Sequence, residues 1–347
     1  MVHSARLAAL ATAVPSYRID QRDVADRAHR LFPEGGAVVE RLLPVYGHSG
    51  VETRYSCVPP EWYERPHGWS EKNRLYLEHA VSLLERASRD CLAQSNLDPI
   101  DIDAVVAVST TGIATPSLDA LLIERLGLRP DVERLPIFGL GCGGGVLGLA
   151  RAASVAAAEP GRNVLLCVVD LCGLTFRRAD SSKSNVIATA LFGDGAAAAV
   201  VSTEAEGPAL GRAGQHTWPQ SLDIMGWSVE EDGLGVIFSR DIPALTRTEF
   251  RKVASGFLAR DRLSFADVDC FVCHPGGAKV LDALEEAFDR PAGALAMSRE
   301  VLRDYGNMSA PTVLFVLERV LAAGTEGLCF LSALGPGFTA AFLEMKA

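Results

Sequence analysis

Basic residues are in deficit. Lys+Arg 33 against Asp+Glu 43 leave a formal net charge of −10, and no basic run interrupts the chain. That balance excludes non-specific nucleic-acid binding, and any anionic ligand must be met by a few basic residues gathered locally. Also missing is an apolar stretch of about 18 residues free of glycine and charge, so no membrane span is expected. Met1–Val14 carries Arg6, a short apolar run and Ala11-Thr12-Ala13, a faint likeness to a signal peptide. A β-strand reads through it more naturally. Cys270 and Cys273 have the spacing of half a metal knuckle without the other half, so no metal is expected. The eight cysteines, at 57, 91, 142, 167, 172, 270, 273 and 329, sit mostly in apolar runs. They read as reduced core thiols of a cytoplasmic protein, not as a disulfide scaffold.

What is present is an ordinary globular composition, 48% hydrophobic and 22% charged over 347 residues, enough for one large domain or two of usual size. Ala104–Thr110 and Asn163–Asp170 are short apolar runs of the kind that form strands covered on both faces. Leu75–Gln94 spaces Ala80, Leu83, Leu84 and Ala87 as a helix does. The second half repeats this order. Asp101-Ile-Asp-Ala-Val-Val and Asp267-Val-Asp-Cys-Phe-Val lie 166 residues apart. The apolar helices opening at Cys142 and Asn307 lie 165 apart, and the strands at Val164 and Leu328 lie 164 apart. Such agreement predicts two similar α/β halves, with Cys142 and Asn307 equivalent at the N-termini of buried helices.

Cys142 stands in Gly139-Leu-Gly-Cys142-Gly-Gly-Gly145, between the strand-like Leu135–Phe138 and a long apolar helix. A helix N-terminus favours thiolate, and glycines let a substrate approach the backbone. The plainer reading is a small residue on a helix-packing face. His274, at the end of the strand Val268–Cys273 and before Pro275-Gly276-Gly277, occupies a place where open α/β sheets put ligands. Taken alone it reads as structural, and Asn307 alone reads as a helix cap. Together the three offer a thiol, an imidazole that pairs with thiolate, and an amide donor for a developing oxyanion. The order Cys–His–Asn, with His 132 residues after Cys, also fits papain-like hydrolases, but the C-G-[SA]-C-[WY] surroundings are absent.

Five strings taken in order, Gly141-Cys142, Ala190-Leu-Phe192-Gly-Asp-Gly195, His274-Pro-Gly-Gly277, Tyr305-Gly-Asn307-Met-Ser309 and Gly335-Pro336-Gly337, resemble the type III polyketide synthases. These are the chalcone- and stilbene-synthase-like enzymes of the thiolase fold, and the resemblance spans essentially the whole chain. It implies an α/β, thiolase-like duplicated five-layer αβαβα fold. Its halves would be 1–205, carrying the nucleophile, and 206–347, carrying His and Asn. It also implies a transferase of polyketide biosynthesis. Cys142 would take a starter acyl group from coenzyme A, and His274 would keep Cys142 ionised. With Asn307 it would hold the malonyl-CoA thioester oxygen while CO₂ leaves.

The resemblance further places Phe192 on one of two gatekeeper phenylalanines. The second falls on Val236 when the chain is aligned on Arg240-Asp-Ile-Pro243, which implies a wider entrance. Thr111, Thr175, Trp227 and Ser309 fall near cavity positions, Gly335-Pro336-Gly337 on its wall, and Arg54 and Lys279 where CoA phosphates are met. Thr115 falls where the family reaches into a neighbour's cavity, which implies a homodimer. No cofactor is expected, and CoA thioesters are the substrates. The small Val236 and the short glycine motif favour a bacterial type with a fatty acyl starter, giving alkylresorcinols or alkylpyrones. A malonyl-only synthase (phloroglucinol or tetrahydroxynaphthalene type), a ketoacyl synthase III-like enzyme and a non-catalytic acyl-binding subunit remain as alternatives.

Overall fold

Side chains along a strand alternate between its two faces, and here the alternation sorts residues into separate cores. In the computed structural model, which describes residues 4–347, one sheet of nine strands is built from β1 (Arg6–Ala13), β2 (Ala104–Ser109), β3 (Glu133–Phe138), β4 (Asn163–Leu171), β5 (Asp194–Ser202) and β6 (Ala209–Thr217), with three more from the later chain. A separate hairpin of β7 (Met225–Glu230) and β8 (Gly233–Phe238) precedes β9 (Cys270–Cys273), β10 (Leu328–Gly335) and β11 (Thr339–Lys346). The sheet order is β9-β10-β11-β6-β1-β5-β4-β2-β3.

Two equivalent half-sheets meet at β1 and β6, joined by a single register pair, Arg6 with Ala209. On one side β1, β5 and β4 run antiparallel and β2 continues parallel to β4; on the other, β6, β11 and β10 run antiparallel and β9 continues parallel. Strands β2 and β9 begin 166 residues apart, the offset read from the sequence.

On β4, Val164, Leu166 and Val168 face an inner core while Leu165, Cys167 and Val169 face an outer one. On β10, Cys329, Leu331 and Ala333 join the same inner core, and Phe330 and Leu334 face a third. Between the half-sheets lie α3 (Gly144–Ala158) and α8 (Thr312–Ala322). Gly144–Ala150 of the first and Thr312–Leu317 of the second are buried throughout, as a helix segment packed on all sides must be; Arg151, Glu318 and Arg319 follow where each leaves the core. By composition Gly141–Ala158 is long enough to cross a bilayer, but it is this mostly buried central helix. Outside one half-sheet pack α1 (Trp69–Ser95) and α2 (Leu118–Leu126). Outside the other pack α5 (Arg251–Leu258) and α6 (Ala278–Ala287). The layers are therefore αβαβα, the thiolase-like arrangement.

Two boundaries differ from expectation. The strand expected from Val268 begins at Cys270, because Phe265–Asp267 forms a turn closed by Ser264 and Asp267. Asn307 does not open its helix. Ser309 has φ +59°, and Pro311, which lacks an N–H, stands just before Thr312, so α8 cannot extend back past Thr312. Cys142, by contrast, lies in the turn Gly141–Gly143 that runs directly into α3.

Candidate active site

Cys142 is presented by a chain held tightly from both sides. Gly141 has φ +45°, and a Cβ there would come within 2.6 Å of Pro336. At Gly145 a Cβ would meet the Ala310 carbonyl oxygen at 2.3 Å. The packing reading of these glycines therefore holds, and close packing against the other half puts Cys142 at the junction. Gly335-Pro336-Gly337 abuts this turn: a Cβ at Gly335 would lie 2.7 Å from the Leu140 carbonyl oxygen. It supports the nucleophile turn from beneath, and the cavity wall is formed by Ser332, Ala333 and Leu334 instead.

Cys142, His274 and Asn307 line one cavity of about 660 Å³. His274 follows β9 directly, its backbone N–H donating to the Ser332 carbonyl at 2.8 Å. Its ring is buried, and neither ring nitrogen has a hydrogen-bond partner among the described residues. Asn307 pairs backbone to backbone with Leu191 and Gly193, at 2.7 and 3.0 Å, which places it beside Phe192. Its Oδ1 accepts the Ser309 backbone N–H at 2.8 Å. That donor settles which way the amide faces. The Nδ2 group is left with one long contact, 3.4 Å to the Gly276 carbonyl, and so remains able to donate into the cavity.

Electrostatics here are dominated by burial. The Cys142 thiol is pushed up to about 12, chiefly by desolvation; the Ser309 hydroxyl, 3.8 Å from Sγ, opposes this, and the Asp170 carboxylate adds to it. Desolvation alone carries His274 down to about 3. The standing thiolate–imidazolium pair expected from the sequence is therefore opposed on both sides. The burial that shapes the cavity disfavours both charges. Alkylation of Cys142 by iodoacetamide is therefore expected to rise about tenfold per pH unit through the neutral range, followed by intact mass. A plateau beginning below about pH 7 would mark a preformed ion pair instead.

Asp170, at the end of β4, is a residue that the sequence reading passed over. Its carboxylate accepts from Thr110 N–H at 2.7 Å, the Thr111 hydroxyl at 3.2 Å and Ala310 N–H at 3.0 Å. Thr110 Oγ1 in turn accepts Gly141 N–H at 3.0 Å. One buried carboxylate thus ties together the loops on either side of Cys142. Its only sequence signal is a lone acid closing an apolar strand. Thr111 is a strut in this network, not a cavity residue: its hydroxyl also accepts Leu171 N–H at 2.8 Å.

Phe192 ends α4 (Lys183–Leu191), whose first turn is capped by the Ser182 hydroxyl. Both Val236 and Phe238 of β8 pack on Phe192, the Phe238 ring with its centroid 5.6 Å away, since residues two apart share a strand face. Phe238 lines the cavity of Cys142, and Phe192 lines a smaller one behind it, of about 80 Å³, together with Val236. Phe192 and Phe238 thus stand in contact between the two cavities, with Val236 beside them. Trp227 backs the pair, 6.0 Å from Phe192. Thr175 lines the small cavity with Cys172, Tyr63 and Phe176.

Arg54 does not reach the cavity mouth. It is buried in the strand Thr53–Ser56, and its guanidinium donates to the carbonyls of Thr189 (2.7 Å), Phe192 (2.8 Å) and Ala190 (2.9 Å) and to Gln21 Oε1. Burial lowers its pKa to about 10, while Tyr46, Tyr63 and Asp194 oppose that fall. Its role is to cap the end of α4, where free carbonyls gather. Lys279 does line the cavity, joined by His48, Lys183 and Arg240, a local basic group on an acidic chain. Thr115 is exposed at the surface, near the exposed Ile113, and lines neither cavity.

The family model "Chalcone and stilbene synthases, N-terminal domain" matches residues 2–205, and its C-terminal counterpart matches residues 209–346. The chain is 37% identical to a putative chalcone synthase of Bacillus subtilis (strain 168), over 96% of each chain. It is 38% identical to a 1,3,6,8-tetrahydroxynaphthalene synthase of Streptomyces peucetius subsp. caesius, covering 98% of this chain and 92% of the relative. Among solved structures, the 1,3,6,8-tetrahydroxynaphthalene synthase of Streptomyces coelicolor A3(2), a bacterial type III polyketide synthase, superposes with a TM-score of 0.94 at 28% identity, covering 98% of this chain and 99% of that one.

Proposed function

Because this chain belongs to the chalcone and stilbene synthase family and is a type III polyketide synthase, an acyltransferase working by decarboxylative condensation, we propose that Cys142, His274 and Asn307 carry that reaction here. Cys142 attacks the starter thioester while neutral His274 accepts the thiol proton; the acyl–sulfur bond to CoA breaks, and the departing CoA thiolate takes that proton from His274. His274, as N–H donor, and Asn307 Nδ2 then bind the malonyl thioester oxygen. Loss of CO₂ places negative charge on that oxygen, and two donors held in a dry site stabilise it. The enolate carbon attacks the acyl carbonyl on Cys142, forming the C–C bond and returning the thiolate. The observation that carries this reading is the Asn307 amide, oriented by Ser309 N–H so that its donor faces the cavity shared with Cys142 and His274.

The phenylalanine pair sits where the malonyl carboxylate would lie, and an apolar wall favours neutral CO₂ over carboxylate. Lys279, Lys183, Arg240 and His48 fit the polyanionic CoA moiety. For the starter we propose a fatty acyl-CoA, with alkylresorcinol or alkylpyrone products. Its support is the small cavity beyond Phe192, walled by Val24, Leu31, Phe176 and Val236, and a 29% identical relative, an "alpha-pyrone synthesis polyketide synthase-like Pks18" of Mycobacterium tuberculosis. The modest size of that cavity, about 80 Å³, favours a second reading, in which malonyl-CoA primes itself. We further propose a homodimer with Thr115 at its interface, supported by the exposed side chains of Ile113 and Phe138 nearby. The eight free thiols suit a reducing, cytoplasmic setting.

Product analysis by mass spectrometry tests the chemistry. Malonyl-CoA is supplied alone and with short, long-chain and aromatic acyl-CoAs, with Cys142→Ala as control. Pyrones or resorcinols formed only with a long-chain starter, and lost in the variant, are expected. Product from malonyl-CoA alone would establish self-priming, and neither CO₂ nor product from any starter would sink the assignment of the three residues.

A further inference from the structure

We propose that Lys72, which touches neither cavity, is a specificity-determining residue: by anchoring the tip of the β7–β8 hairpin it sets the gap between Phe192 and Phe238, and so the acyl groups that reach Cys142. The inference rests on reading those two rings as a gate.

The hairpin forms its own two-stranded sheet, outside the nine-stranded one. An isolated two-stranded sheet is marginally stable and needs outside anchors to hold one position. Its inner face carries Trp227, Val236 and Phe238 onto Phe192, and Val229, on the same face nearer the tip, is left 87% exposed. Any shift of the hairpin therefore changes the gate directly.

What holds the tip is specific. Lys72 Nζ donates to the Asp232 carbonyl at 2.9 Å and to the Phe176 carbonyl at 2.7 Å. Arg177 Nε meets the Asp232 carboxylate at 2.6 Å. Gly233 lies over Trp69, where a Cβ would come within 3.5 Å of the indole and 3.6 Å of Lys72 Nζ. Phe176 belongs to the wall of the small cavity. One ammonium thus fastens the moving part of the gate to the wall behind it.

Lys72 is also out of place by local rules. It lies in the first turn of α1, where the helix dipole disfavours a cation, and it is only 4% exposed. A lysine kept buried against both preferences is held by tertiary contacts, here the two carbonyls.

The test is loading of Cys142 from an equimolar mixture of butanoyl-, octanoyl- and hexadecanoyl-CoA, read as intact mass, which needs no condensation step. In Lys72→Met the loosened tip is expected to raise the ratio of hexadecanoyl to butanoyl loading about tenfold. Lys72→Arg, which can still reach both carbonyls, is expected to restore most of the wild-type profile. Phe238→Ala serves as the gate control. A folded Lys72→Met with an unchanged profile, beside a Phe238→Ala that shifts it, overturns the role of Lys72 and leaves the gate standing. No shift in either variant overturns the gate reading as well. Should Lys72→Met fail to fold, Lys72→Gln decides. Its shorter, neutral amide cannot hold both the Asp232 and the Phe176 carbonyl. A shift in the same direction supports the anchor, and an unchanged profile overturns it.

Discussion

Replacing Asn307 with leucine is expected to slow CO₂ release from malonyl-CoA by about a hundredfold or more, the usual cost of losing one oxyanion donor. The side chain is close in volume and the backbone pairing of Asn307 with Leu191 and Gly193 is kept; the Ser309 N–H loses its Oδ1 acceptor, a cost read in the unfolding midpoint and separate from the loss in the transition state. The variant keeps Cys142, and acyl loading from a starter CoA is expected to survive. Cys142→Ala is expected to do the reverse, releasing CO₂ without condensing. Radiolabelled CO₂ release, read against intact-mass acyl loading, separates the two. Equal loss of both activities in Asn307→Leu would mean that the amide serves structure and not the enolate.

Arg54→Met is expected to cost about 3 kcal/mol or more of stability, because three carbonyls and Gln21 lose a charged donor in a buried site. The Asp194 carboxylate, held up to about 6 by burial and eased by Arg54, would be left with less compensation. A lowered midpoint in urea measures this. The KM for malonyl-CoA in whatever enzyme remains folded is expected to stay near the wild-type value, whereas Lys183→Glu is expected to raise KM with little change in the midpoint. A raised KM and unchanged midpoint in Arg54→Met would instead return Arg54 to the CoA site. That contrast separates a buried helix cap from a phosphate contact, two roles that look alike as a lone arginine beside a tyrosine.

Much of this protein was legible in one dimension. Short apolar runs at Ala104–Thr110 and Asn163–Asp170, the repeat offset near half the chain, and five short motifs led to the layered fold and to Cys142, His274 and Asn307. These features are local or periodic, and locality and period are what a sequence displays. The rest depended on direction and burial. That Phe238 as well as Val236 packs on Phe192 turns on the hairpin folding back over the end of α4. Whether Arg54 meets solvent or a helix end turns on the segment that covers it. Whether Cys142 and His274 are charged turns on the water that burial removes. Asp170 and Lys72 gained meaning only when residues more than fifty positions away were brought to them. The sequence by itself determined the chemistry available to this protein. The tertiary structure decided which of those groups share a cavity, because burial, side-chain direction and hydrogen-bond partners arise between segments distant in the chain.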